Sequence, residues 1–271
     1  MADPKIHIVY FAYLNTGDKN WKDSHPQKLM IQQLNDLKEF GLADAAKSIN
    51  IVFTNPKKHN FNNATESLSD DIKETIKGII PSAILHNSAG NRHEYPGIRL
   101  VWDIARNTPA ADANDTLILY FHAKGITRNT NTGVRTEINQ TLTDTVIKPW
   151  RDIVARFKRD PVVNKAGYAA SDAGIMWYNF WWVRASYAAG CPRPILTEQR
   201  YYYEEWVGRR KAESPSGAEG FTGTGDCLSL CVGGPDGELG IGMGPGMEKC
   251  KTGGKRTRKR RTLKLKRRGR K

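Results

Sequence analysis

The residues with the plainest chemical potential stand in one run, Tyr120-Phe-His-Ala-Lys-Gly-Ile-Thr-Arg128. His122, Lys124 and Arg128 place two permanent cations and an imidazole around Gly125, just after the apolar stretch Leu117–Phe121. An apolar run of that length suits a strand buried on both faces, and the carboxyl end of such a strand is where an open α/β sheet meets its ligand. Cations there would attract an anionic ligand. His122 could donate a hydrogen bond, serve as a lone metal ligand, or simply be a satisfied strand-end residue, and Lys124 could be merely solvated. Carboxylates able to take a proton are Asp172, at an expected strand end, and Glu204 and Glu205, in an expected helix. An acidic pair on a helix is more often an exposed face. In the stretch Tyr178-Asn-Phe-Trp-Trp182, the rings of Tyr178, Trp181 and Trp182 could stack on a sugar face, or could pack the core instead. Strand alternation sends Trp181 and Trp182 to opposite faces, so at most one lines a pocket. Asn179, polar inside an aromatic run, needs a partner.

These residues require an α/β scaffold. Lys5–Tyr13 reads as a first strand, with Ala12, Tyr13 and Asn15 at its end. Pro26 opens a helix with Met30, Leu34 and Leu37 on one face, closed by Gly41. A second strand spans Ile49–Thr54, and a second helix carries Leu68, Ile72 and Ile76. A third strand, Ala83–His86, leads into a loop with Asn87 and Arg92. A helix over Glu94–Arg106 precedes the central strand. Val134, Ile138, Leu142 and Val146 mark another helix, broken or kinked at Pro149 and continued by Trp150, Ile153, Val154 and Phe157. Strands are expected at Gly167–Ala170 and Ile175–Val183, a short helix from Arg184, and a helix over Gln199–Gly208. Ser214–Gly254 is rich in glycine and proline and reads as irregular.

The chain has 271 residues and is 39% hydrophobic, enough for one large domain or two small ones. No apolar run approaches the ~20 residues of a membrane helix. The first ten residues read as a strand and not as a secretory signal. The formal charge of +14 is concentrated: residues 255–271 hold 12 Lys and Arg and no acid, leaving 30 basic against 28 acidic residues elsewhere. The expected divisions are an α/β domain at 1–212, an irregular segment at 213–254 and a disordered basic tail at 255–271. The tail would bind nucleic acid, an anionic membrane or an acidic protein by charge, and a nuclear address is equally compatible. Cys191, Cys227, Cys231 and Cys250 do not follow a usual zinc spacing, and reduced thiols are expected.

Two segments together resemble a family of glycosyltransferases of large DNA viruses and bacteria. Tyr120-Phe-His-Ala-Lys-Gly125 is similar to a strand ending His-Thr-Lys-Gly, and Asn179-Phe-Trp-Trp182 with Tyr187 to Ser-Gly-Asn-Phe-Trp-Trp followed by Tyr. Glu94-Tyr-Pro96 and Asn20-Trp21 resemble further motifs of that family. The resemblance spans about Lys5 to Gly208. It departs at Met176-Trp-Tyr178, where the family has Phe-Ser-Gly. It implies a GT-A type nucleotide-binding sandwich and a nucleotide-sugar donor. The acceptor would be a glycan or protein, and the setting a host-cell cytoplasm or virion. Many GT-A enzymes hold a divalent cation, manganese or magnesium, with an Asp-x-Asp pair. Here His122-Ala-Lys124 stands in that place, so Lys124 and Arg128 could neutralise the departing diphosphate instead. By the same analogy Ala12, Tyr13, Asn15, His86, Asn87 and Arg92 would hold the donor. The alternatives are a non-catalytic nucleotide or carbohydrate binder, and a nucleic-acid binder acting through the tail.

Overall fold

The computed structural model describes residues 3–13, 25–54, 70–86, 92–123, 137–168, 175–199, 202–211, 219–221 and 227–230. Among them a seven-stranded sheet is the centre of an α/β sandwich. Its strands are β1 (Lys5–Tyr13), β2 (Ala46–Thr54), β3 (Ile84–His86), β4 (Thr116–His122), β5 (Lys165–Gly167), β6 (Trp181–Arg184) and β9 (Cys227–Ser229). Their spatial order is β3-β2-β1-β4-β6-β5-β9. The first four are mutually parallel, while β6 runs antiparallel to both β4 and β5. All seven residues of β4 are buried, as its unbroken apolar reading requires.

Helices cover both faces. On one lie α1 (His25–Glu39), α2 (Leu42–Ala45), α3 (Asp70–Ile79), α5 (Glu137–Leu142) and α6 (Trp150–Arg159), packing Met30, Leu34, Leu37, Ile72, Ile76 and Phe157 against Leu119 and Phe121. On the other, α4 (Tyr95–Asn107), α7 (Ala185–Gly190) and α8 (Tyr202–Glu205) pack Ile98, Val101, Tyr187 and Tyr203 against Ile118 and Tyr120. No helix among the described residues is long and apolar enough to cross a membrane.

Several boundaries differ from the sequence reading. The helix entering Pro149 does not simply kink: Thr143–Ile147 winds as a π-turn, with Lys148 N–H donating to the Thr143 carbonyl at 2.9 Å. The fifth strand lies at Lys165–Gly167, two residues earlier than expected. The aromatic stretch is not one strand. Trp177–Asn179 forms a 3-10 turn, and only Trp181–Arg184 joins the sheet. The helix expected over Gln199–Gly208 shortens to α8 and a 3-10 turn at Trp206–Gly208.

The segment expected to be irregular also contributes. Strand β8 (Glu219–Phe221) pairs with β7 (Arg209–Lys211), and β9 pairs in parallel with β5. Leu228 and Leu230 are buried in the core. The α/β domain therefore extends past residue 212, at least to Leu230.

Candidate functional site

The chain runs outward from β1 to β2 and β3, then returns to β4 on the other side of β1. That reversal makes the gap beyond the carboxyl ends of β1 and β4 a topological switch point, the usual crevice for a ligand in an open α/β sheet. Tyr13 ends β1, His86 ends β3 and His122 ends β4, so all three reach the same rim. Because β6 is antiparallel, it begins at that rim, with Trp181 opposite Tyr120. Tyr178 and Asn179 precede it and stand there as well.

At this rim the first turn of α4 meets β4 and the Trp177–Asn179 turn. Gly97 permits the approach: a Cβ there would meet Tyr120 Cε2 at 2.9 Å and Phe11 Cβ at 3.2 Å. Glu94, at the start of α4, is drawn inward. Its Oε2 accepts from Asn179 Nδ2 at 2.5 Å and from the Tyr120 hydroxyl at 3.3 Å. Its Oε1 lies 3.6 Å from His122 Nδ1. The Tyr178 carbonyl is 2.9 Å from His122 Nε2, and a carbonyl can only accept, so Nε2 carries a hydrogen. Trp181 Nε1 donates to Asn179 Oδ1 at 3.2 Å. The result is a buried polar cluster: Asn179 is 0% exposed and His122 4%. The negative charge of Glu94 also sits at the amino end of a helix, where the peptide dipoles favour it.

The turn carrying Asn179 is strained. Tyr178 and Asn179 have φ of 69° and 52°, in the left-handed region that costs an ordinary side chain about 1–2 kcal/mol. Such strain persists only where surrounding contacts over-determine it. Here the His122 and Glu94 hydrogen bonds do so.

The sequence-derived candidates separate clearly. His122, Tyr178, Asn179 and Trp181 come together. Trp181 and Trp182 do face opposite sides of the sheet, but both are 0% exposed. Trp182 Nε1 donates to the Val146 carbonyl at 2.8 Å. Both indoles are core groups, which removes them as stacking platforms for a sugar. Ala12 is buried in the core too, so its side chain is not a ligand contact. His86 reaches the rim but its Nε2 donates to Asn50 Oδ1 at 3.0 Å. Arg92 leads into α4, with Tyr95 N–H donating to its carbonyl at 3.2 Å. Glu205 is tied to Arg209 at 2.5 Å. Glu204 is half-buried on α8. Asn15, Asn87, Lys124, Gly125, Arg128 and Asp172 lie outside the described residues, and nothing is described of the Tyr13 side chain.

Glu94 is the site residue to which sequence reasoning assigned no role. Its signals are the Glu94-Tyr-Pro96 motif of the resemblance and its position, an acid directly before Tyr95-Pro96-Gly97, the opening of an apolar-faced helix. For a divalent cation, one carboxylate and one imidazole fall short of the roughly six oxygens that Mg²⁺ or Mn²⁺ coordination asks for. Among the described residues no group of three or more His, Cys, Asp or Glu side chains gathers as a metal site. Cys191 is buried, with its Sγ 3.7 Å from the Tyr187 carbonyl. Neither a protein-family model nor a curated protein matches the chain. The functional reading therefore rests on the geometry of the rim and on the residues that build it.

Proposed function

We propose that the chain binds a nucleotide-activated sugar at the carboxyl rim of its sheet and transfers the sugar to an acceptor hydroxyl, on a sandwich of the GT-A type. The observation that carries this reading is the buried Glu94–His122–Asn179 cluster at the switch point between β1 and β4. The two motifs that resemble glycosyltransferases, far apart in the chain, are joined by that cluster through Glu94.

In this reading Glu94 is a positioning residue. It holds Asn179 and lies against His122 at the end of β4. Lys124 and Arg128 follow β4 in the chain and are assigned to the diphosphate. Transfer breaks the bond between the anomeric carbon and the phosphate oxygen, and the nucleoside diphosphate leaves with the electron pair. Cations beside that oxygen stabilise the charge as it develops. The acceptor oxygen bonds to the anomeric carbon, and its proton passes to a carboxylate. Asp172 follows β5, which ends over the same rim, and is the carboxylate we assign. Of the three rings expected to stack on the sugar, Tyr178, half-buried on the strained turn, is the one we retain.

A non-catalytic sugar-nucleotide binder is the second reading. It is favoured by the engagement of Glu94 and Glu205 in structural contacts.

A thermal-shift panel of nucleotide sugars, with and without manganese, tests binding, because a ligand of the folded state raises its melting temperature. The expected result is a rise with one donor that disappears in Lys124→Ala. No shift with any donor would sink the reading. Turnover then separates enzyme from binder. Asp172→Asn should lower it about a hundredfold, while Glu204→Gln leaves it within about twofold. Donor binding with no transfer or donor hydrolysis would select the second reading.

A further inference from the structure

Away from the rim, the outer face of α4 gathers arginines around an aromatic ring. Trp102 is half-buried there, its Nε1 donating to the Cys191 carbonyl at 3.1 Å. Three guanidinium carbons stand against its indole: Arg99 at 5.3 Å from the ring centroid, Arg106 at 5.8 Å and Arg193 at 6.0 Å. Arg99 is neutralised by Asp103, whose two oxygens both lie 2.9 Å from its Nε. Among the described residues, Arg106 and Arg193 have no such carboxylate. Both are exposed.

A strap of coil borders this ring. Aromatic side chains beneath hold it in place. Trp206 Nε1 donates to the Pro192 carbonyl at 2.9 Å, and the N–H groups of Ile195 and Thr197 donate to the Tyr202 and Tyr203 hydroxyls at 3.2 and 3.1 Å. Pro192 and Pro194 are buried, while Arg193, Ile195 and Leu196 are exposed. Ile195 is 59% exposed and Leu196 43%. One exposed aliphatic residue is ordinary. Two in succession, on a strap pinned by aromatic side chains and beside a tryptophan flanked by arginines, have the composition of a protein interface, in which Trp and Arg dominate the binding energy.

The arginines alone would suit a phosphate strand as well as a carboxylate-bearing one. The aliphatic pair decides between them. Ile195 and Leu196 gain nothing against a solvated phosphodiester backbone, and neither offers a face for a base to stack on. We propose that the surface formed by Arg99, Trp102, Arg106, Arg193, Ile195 and Leu196 docks an acidic protein segment. Carboxylates of the segment meet Arg106 and Arg193, and its apolar side chains cover Ile195, Leu196 and the Trp102 edge. None of these residues belongs to the rim cluster, so the surface stands or falls independently of the sugar-donor reading.

The test is fluorescence anisotropy on the full chain with two labelled probes, a peptide of Glu and Leu residues and single-stranded oligo(dT). The expected result is peptide binding that weakens about tenfold or more both in Arg106→Glu/Arg193→Glu and in Ile195→Asp. Oligo(dT), drawn by the twelve cations of residues 255–271, should change less than about twofold. Three outcomes overturn the proposal: no peptide binding by the wild type, unchanged affinity in either variant, or a loss of oligo(dT) binding as large as that of the peptide. Where charge reversal lowers the melting temperature, Arg106→Gln/Arg193→Gln makes the same comparison.

Discussion

Tyr178 shows what a single backbone angle asks of a side chain. Its φ of 69° suits glycine, and the motif that this segment resembles has glycine at that position. The ring is held edge-on to Tyr168, with centroids 5.8 Å apart. Tyr178→Gly loses that contact and the left-handed strain together, so stability should stay within about 1 kcal/mol of the wild type. Tyr178→Val loses the ring and keeps the strain in its worst form, a β-branched residue, and should cost about 2 kcal/mol or more. Urea denaturation of the two variants checks the order, and equal losses would show that the angle is not imposed on the residue. The strain was not legible in the sequence. Read alone, Ile175–Val183 looks like one aromatic strand, because β-propensity records residue type and not the hydrogen bonds that His122 and Glu94 place on the turn. The role of Glu94 was hidden for the same reason. Its partners Tyr120, His122 and Asn179 lie 26 to 85 positions away in the chain, and only the fold makes them neighbours.

At the scale of elements, periodicity served well where a segment was long. Strand β1, helix α1 and helix α4 lie where alternation and 3.6-residue spacing put them, because each buries a whole face. The three-residue strands β5 and β9 were misplaced or missed, since so few residues carry no period. The packing of α4 on β4 depends on Gly97. Gly97→Ala would force Tyr120 away and disturb its bond to Glu94. It should lower stability by about 1–3 kcal/mol despite the better helix propensity of alanine. Thermal melting checks this, and a stabilised variant would mean that the contact relaxes freely.

A second device joins β1, β2 and β3. His86 Nε2 donates to Asn50 Oδ1 at 3.0 Å, Asn50 Nδ2 donates to Ser48 Oγ at 2.9 Å, and Ser48 Oγ shares a hydrogen bond with His7 Nδ1 at 2.7 Å. Both imidazoles are held below their usual range, His86 by burial and His7 by burial with the charges of Lys47 and Lys5 adding to it. The unfolded chain then protonates first as pH falls. Stability is full above about pH 6.5 and declines as acidification carries the rings toward their lower folded values. His7→Asn/His86→Asn should flatten that acid limb. Melting temperatures measured from neutral to mildly acidic pH provide the check, and an unchanged slope would place the acid sensitivity elsewhere.

For the molecule as a whole, charge is divided along the chain, and this was fully legible in the sequence because it needs no contacts. Residues 255–271 carry 12 cations, while the remainder is close to neutral. A polyanion should therefore respond to the tail, and a donor sugar nucleotide to the rim at the end of β4. Deleting residues 255–271 should remove most of the affinity for single-stranded DNA. The dependence of that affinity on salt should shrink with it, since each cation that neutralises a phosphate contributes roughly 0.7 to the logarithmic slope for a single strand. Any nucleotide-sugar thermal shift should survive the deletion, because the cluster of Glu94, His122 and Asn179 is built from β4, α4 and the turn before β6. A salt titration of oligo(dT) binding and the donor panel, run on the same truncated protein, separate the two contributions. Loss of the donor shift on truncation would mean that the tail supplies the charge for the diphosphate, and the assignment of Lys124 and Arg128 would fail with it.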